Sequence, residues 1–189
     1  MTLSTAYFPP VEYFSVLAKY SDVYMASTEH YQKQSYRNRC YILTANGPEA
    51  LMFPIVHDGS KLITEVKVDY SVPWVRRTEY AIDSAYYNSP FFEYYRDALF
   101  AILDSHPEKL WDLDMQIIRF FCSRIGVSAP HHDLPSPDSE VLLIHPKVRS
   151  DYEAKPYWQV FREKFGFVPN LSIMDLLFNE GPESICYLI

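Results

Sequence analysis

The sequence predicts a single α+β domain spanning 1–189: one sheet with central antiparallel strands and a βαβ-like opening, packed by three or four helices. Three observations predict it. Two short β-like runs flank an amphipathic helical pattern within the first 27 residues. Asn46-Gly47, the strongest short hairpin signal, stands between two apolar runs. From Trp74 to Ile125 apolar residues recur at helical spacing.

Taken in order, "LSTAYF" reads as an opening strand broken by Pro9-Pro10, with Pro10 placed in the first turn of the helix "VEYFSVLAKY". "VYMAS" follows as a second strand. "RCYILTA" and "ALMFPIV" form the hairpin, and "LITEVKVDY", with Ile63, Val66 and Val68 between charges, reads as a third antiparallel strand. Trp74, Thr78, Ala81 and Ala85 share one helical face. A second helix is expected to open with Ser89 as cap and Pro90 at its first position, carrying Phe92, Tyr95, Leu99 and Ile102. A third bears Trp111, Met115, Ile118, Phe121 and Ile125. "VSAPHHDLPSPDS" is loop by composition, and "EVLLIHP" returns as a strand of unassigned sheet. Pro156 is expected to open a helix that Gly166 stops. Ser172 and Asp175 have capping-box spacing before a final helix that ends at Gly181-Pro182.

At 189 residues the chain can bury a real core as one domain. No apolar run is long enough to span a bilayer. "MTLSTAYFPPVEYF" has neither a basic n-region nor an apolar h-region, so a cytoplasmic location is expected. Cys40, Cys122 and Cys186 are odd in number and lie in apolar stretches, which suits buried thiols in a reducing compartment. A net charge of −7 argues against a nucleic-acid partner, whose phosphates call for a basic face. Tyrosine is abundant, at 16 residues, and several cluster in "AYYNSPFFEYYRDALF", as in a polar pocket lining or an interface.

Most sequence templates for chemistry are absent. With 5 glycines and no glycine-rich phosphate loop, P-loop and dinucleotide readings are disfavoured. His131-His132-Asp133 is a solvated loop before it is a metal site, because adjacent histidines point apart; no metal is expected. The basic stretch "EHYQKQSYRNRCYI" is open to three readings: a solvated hairpin arm, a nucleic-acid patch, or a pocket for an anionic small molecule. In an alternating strand Arg37 and Arg39 would share a face while Asn38 points away, so a pocket using both Asn38 and Arg39 needs a bend before Cys40.

Four stretches, "AYFPPVEYF", "QKQSYRNRCYI", "VDYSVPWVRRTEYAIDSAYYNSPFFEYY" and "FVPNLSIMDLLFNEGP", resemble in order and spacing the WbqC-like family of bacterial proteins. The resemblance implies surface-polysaccharide biosynthesis and transfer of a glycine-like group to an amino sugar. By position it singles out Lys33, Asn38, Arg39, Trp74, Arg76, Tyr86, Asn170, Ser172, Asp175 and Asn179. The family's opening His-Gln-Pro is absent here, and Thr78 stands near the place of a second family histidine, which weakens any imidazole mechanism.

Two functions fit these residues. In the first, a transferase moves a small acyl or aminoacyl group to a nucleotide-linked amino sugar. Lys33, Arg39 and Arg76 would hold the diphosphate, tyrosines or Trp74 would stack on base or sugar, Asn38 and Asn170 would position, and Asp175 would deprotonate the amine. N-capping alone also accounts for Ser172 and Asp175. In the second, the same pocket binds a small molecule or partner without catalysis. No cofactor is specified.

Overall fold

The computed structural model describes residues 1–132 and 141–189. The opening is the expected parallel unit: β1 (Thr2–Leu3), α1 (Val11–Lys19) and β2 (Tyr24–Met25), with β1 paired in parallel to β2. β5 (Val141–Leu142) pairs in parallel on the other side of β1, so "EVLLIHP" joins this sheet in the order β2-β1-β5. The hairpin β3 (Arg39–Thr44) and β4 (Gly47–Met52) stands apart as a second, antiparallel sheet. The mixed fold class is as expected, but the single sheet is not: both sides of β1 are already taken by β2 and β5.

The third antiparallel strand is absent. Ile63 and Val66 are both buried, yet they are three apart, and strict alternation would put them on opposite faces. A turn resolves this, with Glu65 N–H bonded to the Leu62 carbonyl at 2.9 Å. The segment keeps only isolated bridges, His30 to Leu62, Ile55 to Val68 and Lys67 to Lys109.

Three long helices follow as the apolar stripes require: α2 (Trp74–Tyr86), α3 (Phe92–Asp104) and α4 (Leu110–Ile125). α3 begins later than expected. Ser89 and Pro90 form a turn, Phe91 holds the cap position, and the buried Ser89 hydroxyl caps nothing. Asp83 of α2 accepts two bonds from Arg96 of α3, at 2.6 and 2.9 Å, rather than pairing within its own helix. α4 ends on Gly126 at φ 85°, in the left-handed region that a β-carbon disfavours. Nothing lies within 4 Å of a β-carbon there. Gly126→Ala should therefore cost only the backbone strain, about 1 kcal/mol, read as a Tm lower by about 2–4 °C.

The C-terminal third departs most from expectation. Pro156 opens no helix; only α5 (Arg162–Phe165) forms before Gly166. Tyr157 and Gln159, both buried, alternate inward along an extended run, which a helix would forbid. α6 (Ile173–Glu180) is buried nearly all round and packs on α1, α3 and β3. Gly181 leads into a 3-10 turn (Gly181–Ser184) and α7 (Ile185–Leu188) rather than a plain exit.

Pro10 sits at the N-cap of α1, one position before the place expected, and supplies no side-chain cap. The first N–H groups of that helix are satisfied from the far end of the chain instead. Val11 N–H bonds the Leu171 carbonyl at 2.9 Å, and Glu12 N–H bonds Asn170 Oδ1 at 3.0 Å.

Cys40 and Cys122 are buried in this core, whereas Cys186 is exposed, against the expectation of three buried thiols. No helix among the described residues is long and apolar enough to cross a membrane.

Candidate functional site

A 3-10 turn, Tyr36–Asn38, provides the bend that the basic stretch required. Ser35 caps it, and Arg39 resumes extended geometry at φ −146°. The turn separates three neighbours that an alternating strand would have arranged differently. Arg37 points inward and is 4% exposed, so it is no part of a solvated arm. Its guanidinium grips Glu29 with two bonds, Nε to Oε1 at 3.0 Å and Nη2 to Oε2 at 2.5 Å. Asn38 points elsewhere, into a cleft of about 650 Å³.

That cleft runs between the free side of β4, the 31–38 segment and the first turns of α2. Asn38 is fixed at its edge, accepting from the Tyr31 hydroxyl at 3.1 Å and donating to the Phe53 carbonyl at 2.7 Å. Leu51, Met52, Phe53 and Ile55 give it an apolar floor, and Lys33, Arg77, His57 and Glu49 bring charge and polarity to its walls. Lys33 and Arg77 belong to no ion pair among the described residues. Two cations against one carboxylate leave the walls of the cleft net positive. The Tyr31 hydroxyl is pushed up by burial, with Arg37 and Arg39 pulling it back.

Trp74 lines this cleft but cannot offer a ring face to a ligand. It is 3% exposed, and Phe53 and Tyr70 both stack on it, with centroids 5.0 and 5.5 Å away. What it retains is a sealed indole N–H without a partner among the described residues. Behind it Tyr7 packs edge-on to Phe53 and Trp74, its hydroxyl beside Thr78 and held protonated by burial. Deeper still, Asp114 of α4 is fully buried, accepts only from Thr5 at 3.1 Å, and is pushed well above the carboxylate range by desolvation.

Of the residues chosen from sequence, Lys33, Asn38 and Trp74 meet at this cleft. Arg39 is half-buried beside Tyr31, with its Nε sealed and unpartnered, and lies outside the cleft lining. Arg76 lines an adjoining shallow depression with Pro73, Arg77 and Tyr80. Arg77 is the arginine that faces the cleft, and sequence reasoning passed over it. The signal was present: on a helix Arg77 shares the face of Trp74, Thr78 and Ala81, which Arg76 does not. Glu49 and His57 carried no signal beyond their place at the hairpin and the turn after it.

The remaining five lie elsewhere. Asp175 is 1% exposed, and its Oδ2 accepts from the Tyr157 hydroxyl and from Gln159 Nε2, both at 2.7 Å. Desolvation pushes its carboxyl up to about 6 against these bonds. Tyr86 stands beside the same carboxylate and packs on Phe178. Asn179 donates to the Asp175 carbonyl at 2.7 Å. Ser172 caps α6 by accepting from Met174 N–H at 3.3 Å, but Asp175 does not return the bond of a capping box. This buried group lines neither large cleft. Asn170, in left-handed geometry at φ 54°, lines a second cleft beyond the hairpin.

The paired histidines do not converge. His131 continues the backbone bridge to Tyr24, while His132 meets Arg119; Asp133 lies outside the described residues. No group of three or more metal-ligating side chains gathers among the described residues.

A profile of the WbqC-like protein family matches residues 5–138. The chain belongs to that family. Every residue lining the WbqC-like cleft falls within the matched span. An uncharacterised protein of Mycobacterium tuberculosis is 26% identical to this WbqC-like chain, over 96% of the chain and 94% of the relative. No solved structure matches the chain.

Proposed function

We propose that the cleft beside the hairpin binds an anionic small molecule of the nucleotide-sugar class, and that the protein transfers a small acyl or aminoacyl group to its amino sugar during surface-polysaccharide assembly. One observation carries the binding: two cations that form no ion pair among the described residues, Lys33 and Arg77, stand over an apolar floor in a cleft large enough for such a ligand. Lys33 and Arg77 hold the diphosphate, and Asn38 orients the sugar. Attack on an activated acyl carbonyl needs a neutral amine. The carboxylate placed to take its proton is Glu49, which lines the cleft, rather than Asp175, which is sealed.

Isothermal titration with uridine diphosphate, guanosine diphosphate, UDP-N-acetylglucosamine and coenzyme A tests this reading. Arg77→Ala should weaken the best of these about tenfold, the worth of one charge-assisted bond. Lys147→Ala, outside the cleft, should leave it unchanged. Absence of binding by all four ligands would overturn the proposal. If binding is found but Glu49→Gln leaves acyl transfer to UDP-linked amino sugars intact, the base assignment fails while the ligand class stands.

A further inference from the structure

Across the hairpin from this site lies a second and larger cleft, of about 840 Å³, walled by α1, the hairpin, and the 142–152 and 168–171 segments. Its central fixture is Glu12. Glu12 Oε1 accepts from the Ser150 hydroxyl at 2.5 Å, and Oε2 accepts from Asn170 Nδ2 at 3.0 Å. The Asn170 carboxamide in turn accepts Glu12 N–H, so amide and carboxylate hold each other in a closed ring of bonds. Each carboxylate oxygen can accept a second bond. The result is two adjacent, immobilised acceptors facing the cleft, an arrangement suited to two neighbouring hydroxyl donors.

Two further observations point to a guest. Tyr152 lines this cleft, and its hydroxyl is buried at the cleft's margin with no hydrogen-bond partner among the described residues. Burial pushes it up to about 12, so it stays a donor at neutral pH. Tyr36 and Tyr41 also line the cleft and meet edge to face at 6.3 Å, giving a half-buried aromatic wall. The charged side chains balance, Lys19 and Arg149 standing against Glu12 and Asp151, and burial with nearby cations holds His145 below its ordinary range.

We infer that the second cleft is a binding site for a neutral sugar ring. Glu12 and Asn170 take adjacent hydroxyls, the Tyr152 hydroxyl reaches a third polar atom, and Tyr36 and Tyr41 pack on the apolar face of the ring. The two clefts are separated by very little. Tyr41 lines the second and its cross-strand partner Ala50 the first; Pro48 and Glu49, consecutive in β4, divide the same way. Residues paired across a sheet sit about 5 Å apart. The two ligands would therefore lie close together on either side of one hairpin. That pairing, though not the sugar site itself, rests on the function proposed for the first cleft.

Saturation-transfer NMR of the full chain tests the site, using the methyl glycosides of glucose, galactose, N-acetylglucosamine and rhamnose. At least one should bind saturably, with no nucleotide present. Tyr152→Phe removes a hydroxyl that bonds nothing among the described residues, so its Tm should hold while affinity falls about five- to tenfold. Tyr41→Ala should weaken the same glycoside, and both variants should bind uridine diphosphate as the native chain does. Saturable binding by none of the four glycosides, or equal affinity in both variants, overturns the inference. Competition between glycoside and uridine diphosphate for one site overturns it as well. Glycoside binding with these variant effects, but no nucleotide binding, would sink the function proposed above and leave this site standing.

Discussion

Replacing Arg37 with alanine is expected to cost the fold about 3–4 kcal/mol, the range for removing one partner of a buried ion pair. The side chains of Arg37 and Glu29 are 5% and 17% exposed, so water cannot replace the lost guanidinium. Nor is Glu29 the only partner. Arg37 Nη2 also donates to the Ser4 hydroxyl at 3.1 Å, which itself donates to Glu29 Oε2 at 2.8 Å. The residue thus ties the end of β1 to the 3-10 turn that aims Asn38. Urea unfolding should show the midpoint falling sharply, with Arg37→Lys intermediate because an ammonium cannot reproduce the two-pronged contact. A loss below about 1 kcal/mol would mean that the pair contributes no more than a surface contact does.

Stability should also depend on the protonation of Asp175. Its carboxyl is raised to about 6 in the folded protein, mainly by burial, against an ordinary value near 3.8. The folded state therefore holds the proton more tightly than the unfolded one. The stabilisation is complete below the unfolded value and is lost as pH rises through about 6. Across that window the change is about 3 kcal/mol. Asp175→Asn cannot titrate, so the Tm difference between variant and native protein should move in the variant's favour from pH 4 to pH 7.5, by about 6–12 °C. The raised Asp114 carboxyl acts in the same direction in both proteins and cancels in the comparison. A difference that stays flat with pH would show that the carboxylate is already stabilised by Tyr157 and Gln159.

The parts of this fold that sequence discloses are those encoded locally. Asn46 and Gly47 set the hairpin, and the stripes of α2 and α4 set their buried faces. Where local signals compete with packing, packing wins. Ile63 and Val66 look like strand residues but need a turn to bury together, and 156–160 looks like a helix start but must extend so that Tyr157 and Gln159 reach Asp175. Lys33, Asn38 and Trp74 could be assembled from the family pattern, whereas the choice of Arg77 over Arg76 needed helix phase. The partners of Asp175 lie 16 and 18 residues away, with nothing at short range to announce them. The family pattern marked Asp175, but not that it serves the interior rather than a ligand.

The distant capping of α1 has a consequence for how the protein is made. Its first turn is completed by the carbonyl of Leu171 and the side chain of Asn170, some 160 positions downstream. At a ribosomal rate of about 5–20 residues per second, those groups emerge on the order of ten seconds or more after the helix itself. Through that interval a nascent helix rich in buried Tyr13, Phe14 and Leu17 waits with open ends and an uncovered apolar face. The family-matched span stops at residue 138, short of everything that closes it. A chain halted there would carry the residues that line the cleft beside the hairpin without the groups that complete the first turn of α1, and long-range closure of this kind makes for slow folding.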